Sequence, residues 1–147
     1  KGRKYIGAGT KYYFEDLGIR NAVLDFRQIE YTHIMENVIY NELRKQGYGV
    51  DVGIVESFKR DENGKLQRRN LEIDFVVNRH DERLYIQSAF ALPDKEKVDQ
   101  EQASLLNVND GFRKLIIVGD RYHSGYNEEG ILMMSLSDFL LGKGSKE

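Results

Sequence analysis

Apolar positions recur along this chain in two different periods, and the switches between them mark out its elements. Within residues 29–46, Ile34 and Val38 share one helical face with Tyr31 near it, and Ile39 and Leu43 widen the stripe. Gly47 follows Arg44 and Lys45 where a helix-ending glycine belongs. Residues 48–56 alternate instead, with Val50, Val52 and Ile54 on one side and Asp51, Gly53 and Val55 on the other, which predicts a strand. Residues 71–78 and 84–90 read as two more strands. The polar excursion 59–69 carries the hairpin signal Asn63-Gly64, and Asp81-Glu82 turns the second strand into the third.

The second half is shorter in its signals. Pro93 opens a charged stretch, 94–106, that carries Val98, Ala103, Leu105 and Leu106 and reads as a helix. Residues 115–118 form a continuous apolar run, the mark of a strand covered on both faces. Residues 131–134 suggest another strand, and Ser135 or Ser137 caps a last helix through residue 141. At the start, residues 4–6 and 11–14 read as a hairpin around Gly7-Ala8-Gly9-Thr10. Asp16 caps a short helix over 17–24, which Gly18 weakens. Helix, three meander strands, helix and strand, in that order, give an α/β fold with a mixed sheet and helices on both faces.

Composition narrows the chemistry. A chain of 147 residues with 40% hydrophobic and 31% charged residues suits one soluble domain. It has no cysteine, so disulfides, thiolate zinc sites and cysteine nucleophiles are excluded within it. The formal net charge of -2 argues against a general nucleic-acid coat, so any such contact must come from a local patch. No apolar run approaches the ~20 residues of a membrane helix and no signal peptide is visible, so a cytoplasmic protein without membrane contact is expected. The first residue is Lys1, which suggests a piece of a larger parent.

Three positions carry candidate chemistry: Glu36 on the long helix, Asp74 on the second strand and Gln87 on the third. A hairpin centred near residues 80 and 81 pairs positions that sum to 161, which sets 74 opposite 87. Strict alternation places Glu72, Asp74 and Val76 on one face and Leu71, Ile73, Phe75 and Val77 on the other. In the same way Tyr85, Gln87 and Ala89 lie opposite Leu84, Ile86 and Ser88. Converging oxygens from a helix and two strands suit Mg²⁺. The plainer alternative is a solvated acidic face. Lys59, Arg60, Lys65, Arg68 and Arg69 cluster around the first hairpin, either as a phosphate-tracking patch or as a surface balanced by Asp61 and Glu62. His33, His80 and His123 lack metal-ligand spacing. Tyr12, Tyr13, Phe14, Tyr40, Tyr48 and Tyr85 read as packing residues.

The order helix-Glu, strand-Asp and strand-Gln resembles the PD-(D/E)XK nuclease superfamily. Four strings are more closely similar to the C-terminal domain of unknown function of bacterial and archaeal AAA+ ATPases. They are residues 11–22 (KYYFEDLGIRNA), 35–43 (MENVIYNEL), 72–76 (EIDFV) and 85–89 (YIQSA). The resemblance implies a restriction-endonuclease-like core (α-β-β-β-α-β) over residues 28–141. It also implies a partial winged-helix remnant over 1–27 and a disordered tail over 142–147. An AAA+ ATPase module would precede it in the parent chain; no Walker motif exists here, so this chain should not hydrolyse ATP.

The resemblance assigns catalysis to Glu36, Asp74 and position 87, with Glu36 and Asp74 as Mg²⁺ ligands. It wants an acid at 87 and a lysine at 89, where this chain has Gln87 and Ala89. Losing both the third carboxylate and the lysine should cost several kcal/mol of transition-state stabilisation, by analogy with single-donor losses of roughly 3 kcal/mol. Glu72, one pleat away, and Arg83 on the next strand are the nearby groups that could substitute. The expected function is therefore an accessory domain with a degenerate nuclease-like site that binds nucleic acid, such as DNA, or a protein partner. The alternative is a Mg²⁺-dependent endonuclease or phosphodiesterase. A third reading is a homo-oligomerisation domain that pairs through the sheet edge at 115–118.

Overall fold

A computed structural model describes residues 11–27 and 30–143 of the chain. The first arm and turn of the expected opening hairpin and most of the polar tail lie outside the described residues; residues 11–14, its expected second arm, form no strand and are instead held by side chains of the long helix. The elements, in order, are α1 (Leu17–Val23), α2 (Tyr31–Lys45), β1 (Gly49–Arg60), β2 (Leu66–Arg79), β3 (Glu82–Ala89), α3 (Lys95–Leu106), β4 (Arg113–Val118), β5 (Gly125–Tyr126), β6 (Leu132–Ser135) and α4 (Leu136–Leu140). The strands form one six-stranded sheet in the order β1-β2-β3-β4-β6-β5. β1, β2 and β3 are antiparallel neighbours, β3, β4 and β6 run parallel, and β5 closes the far edge antiparallel. The mixed α/β architecture follows the predicted element order.

The helix ends behave as their sequence suggests. Asp16 accepts from the Ile19 N–H, Asp94 from Lys97 and Ser135 from Asp138, each satisfying a donor of a first turn. α3 is thus capped by Asp94 and starts two residues after Pro93. α2 ends with Gly47 at φ +85°, its N–H donating to the Arg44 carbonyl and that of Tyr48 to Leu43. Only a residue free of a Cβ adopts that conformation without strain. The buried stripe of α2 is Met35, Ile39 and Leu43, at i, i+4 and i+8, while Tyr31 is exposed.

Two apolar layers flank the sheet. Met35, Ile39 and Leu43 of α2 pack with Phe75, Val77, Ile86, Leu115, Ile117 and Met134 on one face. Leu105 of α3 packs with Ile73, Tyr85, Ala89, Ile116, Val118 and Met133 on the other. The run 115–118 is buried on both faces as expected, but β4 pairs with β3 and with β6. It is interior to the sheet, so the expected homo-oligomer edge at 115–118 has no free backbone to offer.

The predicted polar excursion 59–69 is mostly strand. β1 and β2 stay paired to Arg60↔Leu66, well past the end of β3, and form a two-stranded ribbon that projects from the sheet. Its tip is a five-residue turn in which Asp61 accepts from the N–H groups of Asn63 and Lys65 and Gly64 takes φ +75°. Polar side chains hid this ribbon from a hydrophobic reading, because neither of its faces is covered.

One departure from strict alternation positions the site. Asp51 pairs with Val76 and Gly53 with Ile73, so two steps on β1 match three on β2. Asp74 and Phe75 together oppose Val52, the signature of a β-bulge on β2. The expected grouping of Ile73 with Phe75 and of Asp74 with Val76 therefore fails. Ile73 and Val76 face α3, while Phe75 and the Asp74 carboxylate face α2. Gly53 lies across the bulge. A Cβ there would stand 2.7 Å from Val76 Cγ2 and 3.1 Å from Ile73 Cβ.

Candidate functional site

The β2–β3 register sums to 161, from Phe75↔Ile86 to Arg79↔Glu82, around a two-residue turn in which His80 takes φ +54°. Asp74 and Gln87 are the next residues along that ladder. The bulge then separates them. Asp74 is 7% exposed; its Oδ2 accepts from both the backbone N–H and the hydroxyl of Ser88, each at 2.8 Å. Gln87 leaves β3 on the α3 side. Its Oε1 accepts from the Ser104 hydroxyl at 3.2 Å and from the Asp74 N–H at 3.4 Å. Both lone pairs of that oxygen are committed to the fold.

Lys11 enters the space in front of Asp74. Its Nζ lies 2.7 Å from Glu72 Oε1, 3.2 Å from Glu36 Oε2 and 3.3 Å from Asp74 Oδ1. Glu36 and Asp74 are thus brought together as expected, with Glu72 as a third acid and an ammonium at the centre. The segment that delivers Lys11 is clamped by α2. Asn37 accepts from the Phe14 N–H at 2.8 Å and donates to the Phe14 carbonyl at 2.6 Å, and Asn41 also donates to that carbonyl. Tyr13 stacks on Tyr40 with ring centroids 4.1 Å apart. Its hydroxyl is buried and has no partner among the described residues.

The electrostatics follow from this crowding. Burial works against charge on Lys11, but the hydrogen bond to Glu72 and the charges of Asp74 and Glu36 outweigh it and hold the ammonium well above its ordinary range. Burial raises the Glu36 carboxyl, the negative charge of Asp74 raises it further, and Lys11 opposes both. Tyr13 is pushed up to about 12, first by burial and then by Glu36 and Asp74, against the pull of Lys11.

Glu36, Asp74, Gln87 and Ser88 line a cavity of about 290 Å³ at the carboxyl end of β3, beneath the start of α2. That is the end where open α/β sheets usually hold ligands. Among the described residues no group of three His, Asp or Glu side chains is placed to hold a metal ion. The two predicted ligands both point at Lys11, so the residues as arranged do not fit Mg²⁺. Arg83 does not reach the cluster; it donates to Asn78 Oδ1 and lies over the Phe112 ring. His33 pairs with Glu30 at the helix start.

Sequence reasoning missed Lys11, because no spacing links residue 11 to residues 36, 72 and 74. One local signal was available. In an extended segment Lys11 and Tyr13 point the same way, and a lysine beside a packing tyrosine announces a cation turned inward. Of the predicted basic patch, Lys59, Arg60 and Lys65 flank the ribbon turn, and Arg68 and Arg69 follow on β2. Arg68 pairs with Glu56, while Lys59, Arg60, Lys65 and Arg69 have no side-chain partner among the described residues.

These features define a mixed α/β domain whose acidic cluster, at the carboxyl end of its parallel strands, is neutralised in part by its own lysine. No family model matches the sequence. An uncharacterized protein of Haemophilus influenzae is 31% identical over 141 residues, covering 96% of this chain and 31% of that protein. The chain therefore spans about a third of the length of the relative it matches. No helix among the described residues is long and apolar enough to cross a membrane.

Proposed function

We propose that this domain is a restriction-endonuclease-like accessory module of an AAA+ ATPase, cytoplasmic, that docks nucleic acid without cutting it. The observation that carries the reading is Lys11. Its ammonium stands among Glu36, Glu72 and Asp74, where a nuclease of this class would need a divalent cation to activate water and neutralise phosphoryl charge. The oxygen of Gln87 is also spoken for, by Ser104 and by the backbone of Asp74. The link to an upstream ATPase rests on the resemblance of the four strings alone.

The projecting ribbon is the docking element of this reading. A two-stranded β-ribbon fits the major groove of a duplex. Lys59, Arg60, Lys65 and Arg69 are free to reach phosphates from it. The test combines two measurements on the intact chain. Single-stranded, duplex and branched DNA and RNA are incubated with Mg²⁺ or Mn²⁺ beside an Asp74→Ala control, and no cleavage is expected. Duplex affinity is then followed against salt. Replacing Lys59 or Arg69 with alanine should lower the salt slope by about 1 each. Binding without salt dependence sinks the docking reading.

The runner-up is a metal-dependent phosphodiesterase in the cavity lined by Glu36, Asp74 and Gln87, which would require Lys11 to leave the space between the two carboxylates. Cleavage that disappears in Asp74→Ala would establish it and overturn the first.

A further inference from the structure

A second concavity lies at the other end of the sheet. It encloses about 350 Å³, within the range of small-molecule sites. Its floor is apolar: Leu84 and Ile86 of β3, Leu115 of β4, Leu132 and Met134 of β6, closed from the side by Phe139 of α4. α4 has only five residues, so it covers just part of the sheet face that it shares with α2. The gap opens at the amino ends of the parallel strands, away from Lys11 and the acids.

The mouth is charged in an unbalanced way. Arg79 donates to Glu82 at 3.0 Å and to the Gln46 carbonyl at 3.2 Å, and its guanidinium lies 4.4 Å from the Tyr48 ring centre. Arg79 and Glu82 therefore cancel and hold each other still. Lys114 points to the opposite face, where it donates to the Val108 carbonyl. Arg113 is different. It opens β4 on the same face as Leu115 and Ile117, it lines the cavity, and it has no partner among the described residues. One free guanidinium over an apolar hollow matches one planar anion carried on an apolar body.

We propose that this cavity is a binding site for a small amphipathic carboxylate, with the alkyl or aryl body against Leu84, Leu115, Leu132 and Phe139 and the carboxylate on Arg113. A single uncompensated charge favours a monoanion over a phosphate monoester. The site is independent of the carboxylate cluster and of the nucleic-acid reading.

The test uses octanoate as probe and octanamide as its neutral counterpart, on the intact chain, followed by calorimetry and by backbone amide shifts. Octanoate should bind and shift amides of β3, β4 and β6 near residues 84, 115 and 132. Octanamide should bind about tenfold more weakly, as expected for the loss of one charge-assisted hydrogen bond. Arg113→Gln should bring octanoate down to the level of octanamide while leaving octanamide unchanged. Leu132→Phe, which fills the hollow with an apolar ring, should abolish both with the melting temperature retained. Failure of octanoate to bind the folded chain overturns the proposal. Equal binding of the two probes, indifferent to Arg113→Gln, also overturns it.

Discussion

Replacing Lys11 with methionine keeps most of the aliphatic stem and removes the charge, leaving Glu36, Glu72 and Asp74 facing one another. Two charges 4 Å apart interact by about 4 kcal/mol at an effective dielectric of 20. Breaking a buried ion pair by deleting one partner costs roughly 3–5 kcal/mol. Here the Lys11 side chain is 25% exposed, and Glu72, although its contact is the shortest of the three, is 51% exposed, so solvent screens that pair the most. Asp74 keeps both Ser88 donors. The expected loss at neutral pH is about 3 kcal/mol, or roughly 6–12 °C in melting temperature for a domain of this size.

The pH dependence gives the sharper check. The Glu36 pKa is raised in the fold, so its destabilising charge is absent below the ordinary carboxylate range and appears as pH rises through the folded value. Lys11, also raised, keeps its stabilising charge at every pH below the ordinary lysine value, and loses it only above. In Lys11→Met no ammonium counters the acids. The penalty should therefore shrink as pH falls from about 7 toward 4, because Glu36, with its raised pKa, takes up a proton on the way. Urea unfolding of both proteins at pH 7.5 and pH 4.5 reads this directly. A penalty that stays constant or grows on acidification would refute the electrostatic account. Asp74→Asn placed on Lys11→Met should recover part of the loss, a coupling that a packing defect at residue 11 would not show.

Two further outcomes follow from the framework of the site. Asn37, 3% exposed, makes two hydrogen bonds to Phe14, so Asn37→Ala should lose about 1–3 kcal/mol and release the segment that carries Lys11. Amide exchange within residues 13–23 should accelerate more than exchange in β4. Gly53→Ala would drive a Cβ into Val76 and Ile73 across the bulge and should cost about 1–3 kcal/mol by denaturant melt; unchanged stability would mean that the bulge is not held there.

The sequence by itself determined the element order, the helix caps and the β2–β3 register, because these depend on neighbours a few residues apart. Asp16 and Ser135 cap what they were expected to cap, and the His80-Asp81 turn fixes pairings that sum to 161. It also singled out Glu36 and Asp74, since acids beside apolar runs stand out locally. Only the tertiary structure decided what those acids face. The bulge opposite Val52 turns Asp74 to the α2 side and leaves Gln87 with Ser104 on the other. An extra residue in a strand leaves no mark in a periodic pattern that is apolar on both faces. Lys11 reaches its partners across 25, 61 and 63 positions. Such a meeting is set by how α2, β2 and the N-terminal segment pack, and no local rule of spacing contains it.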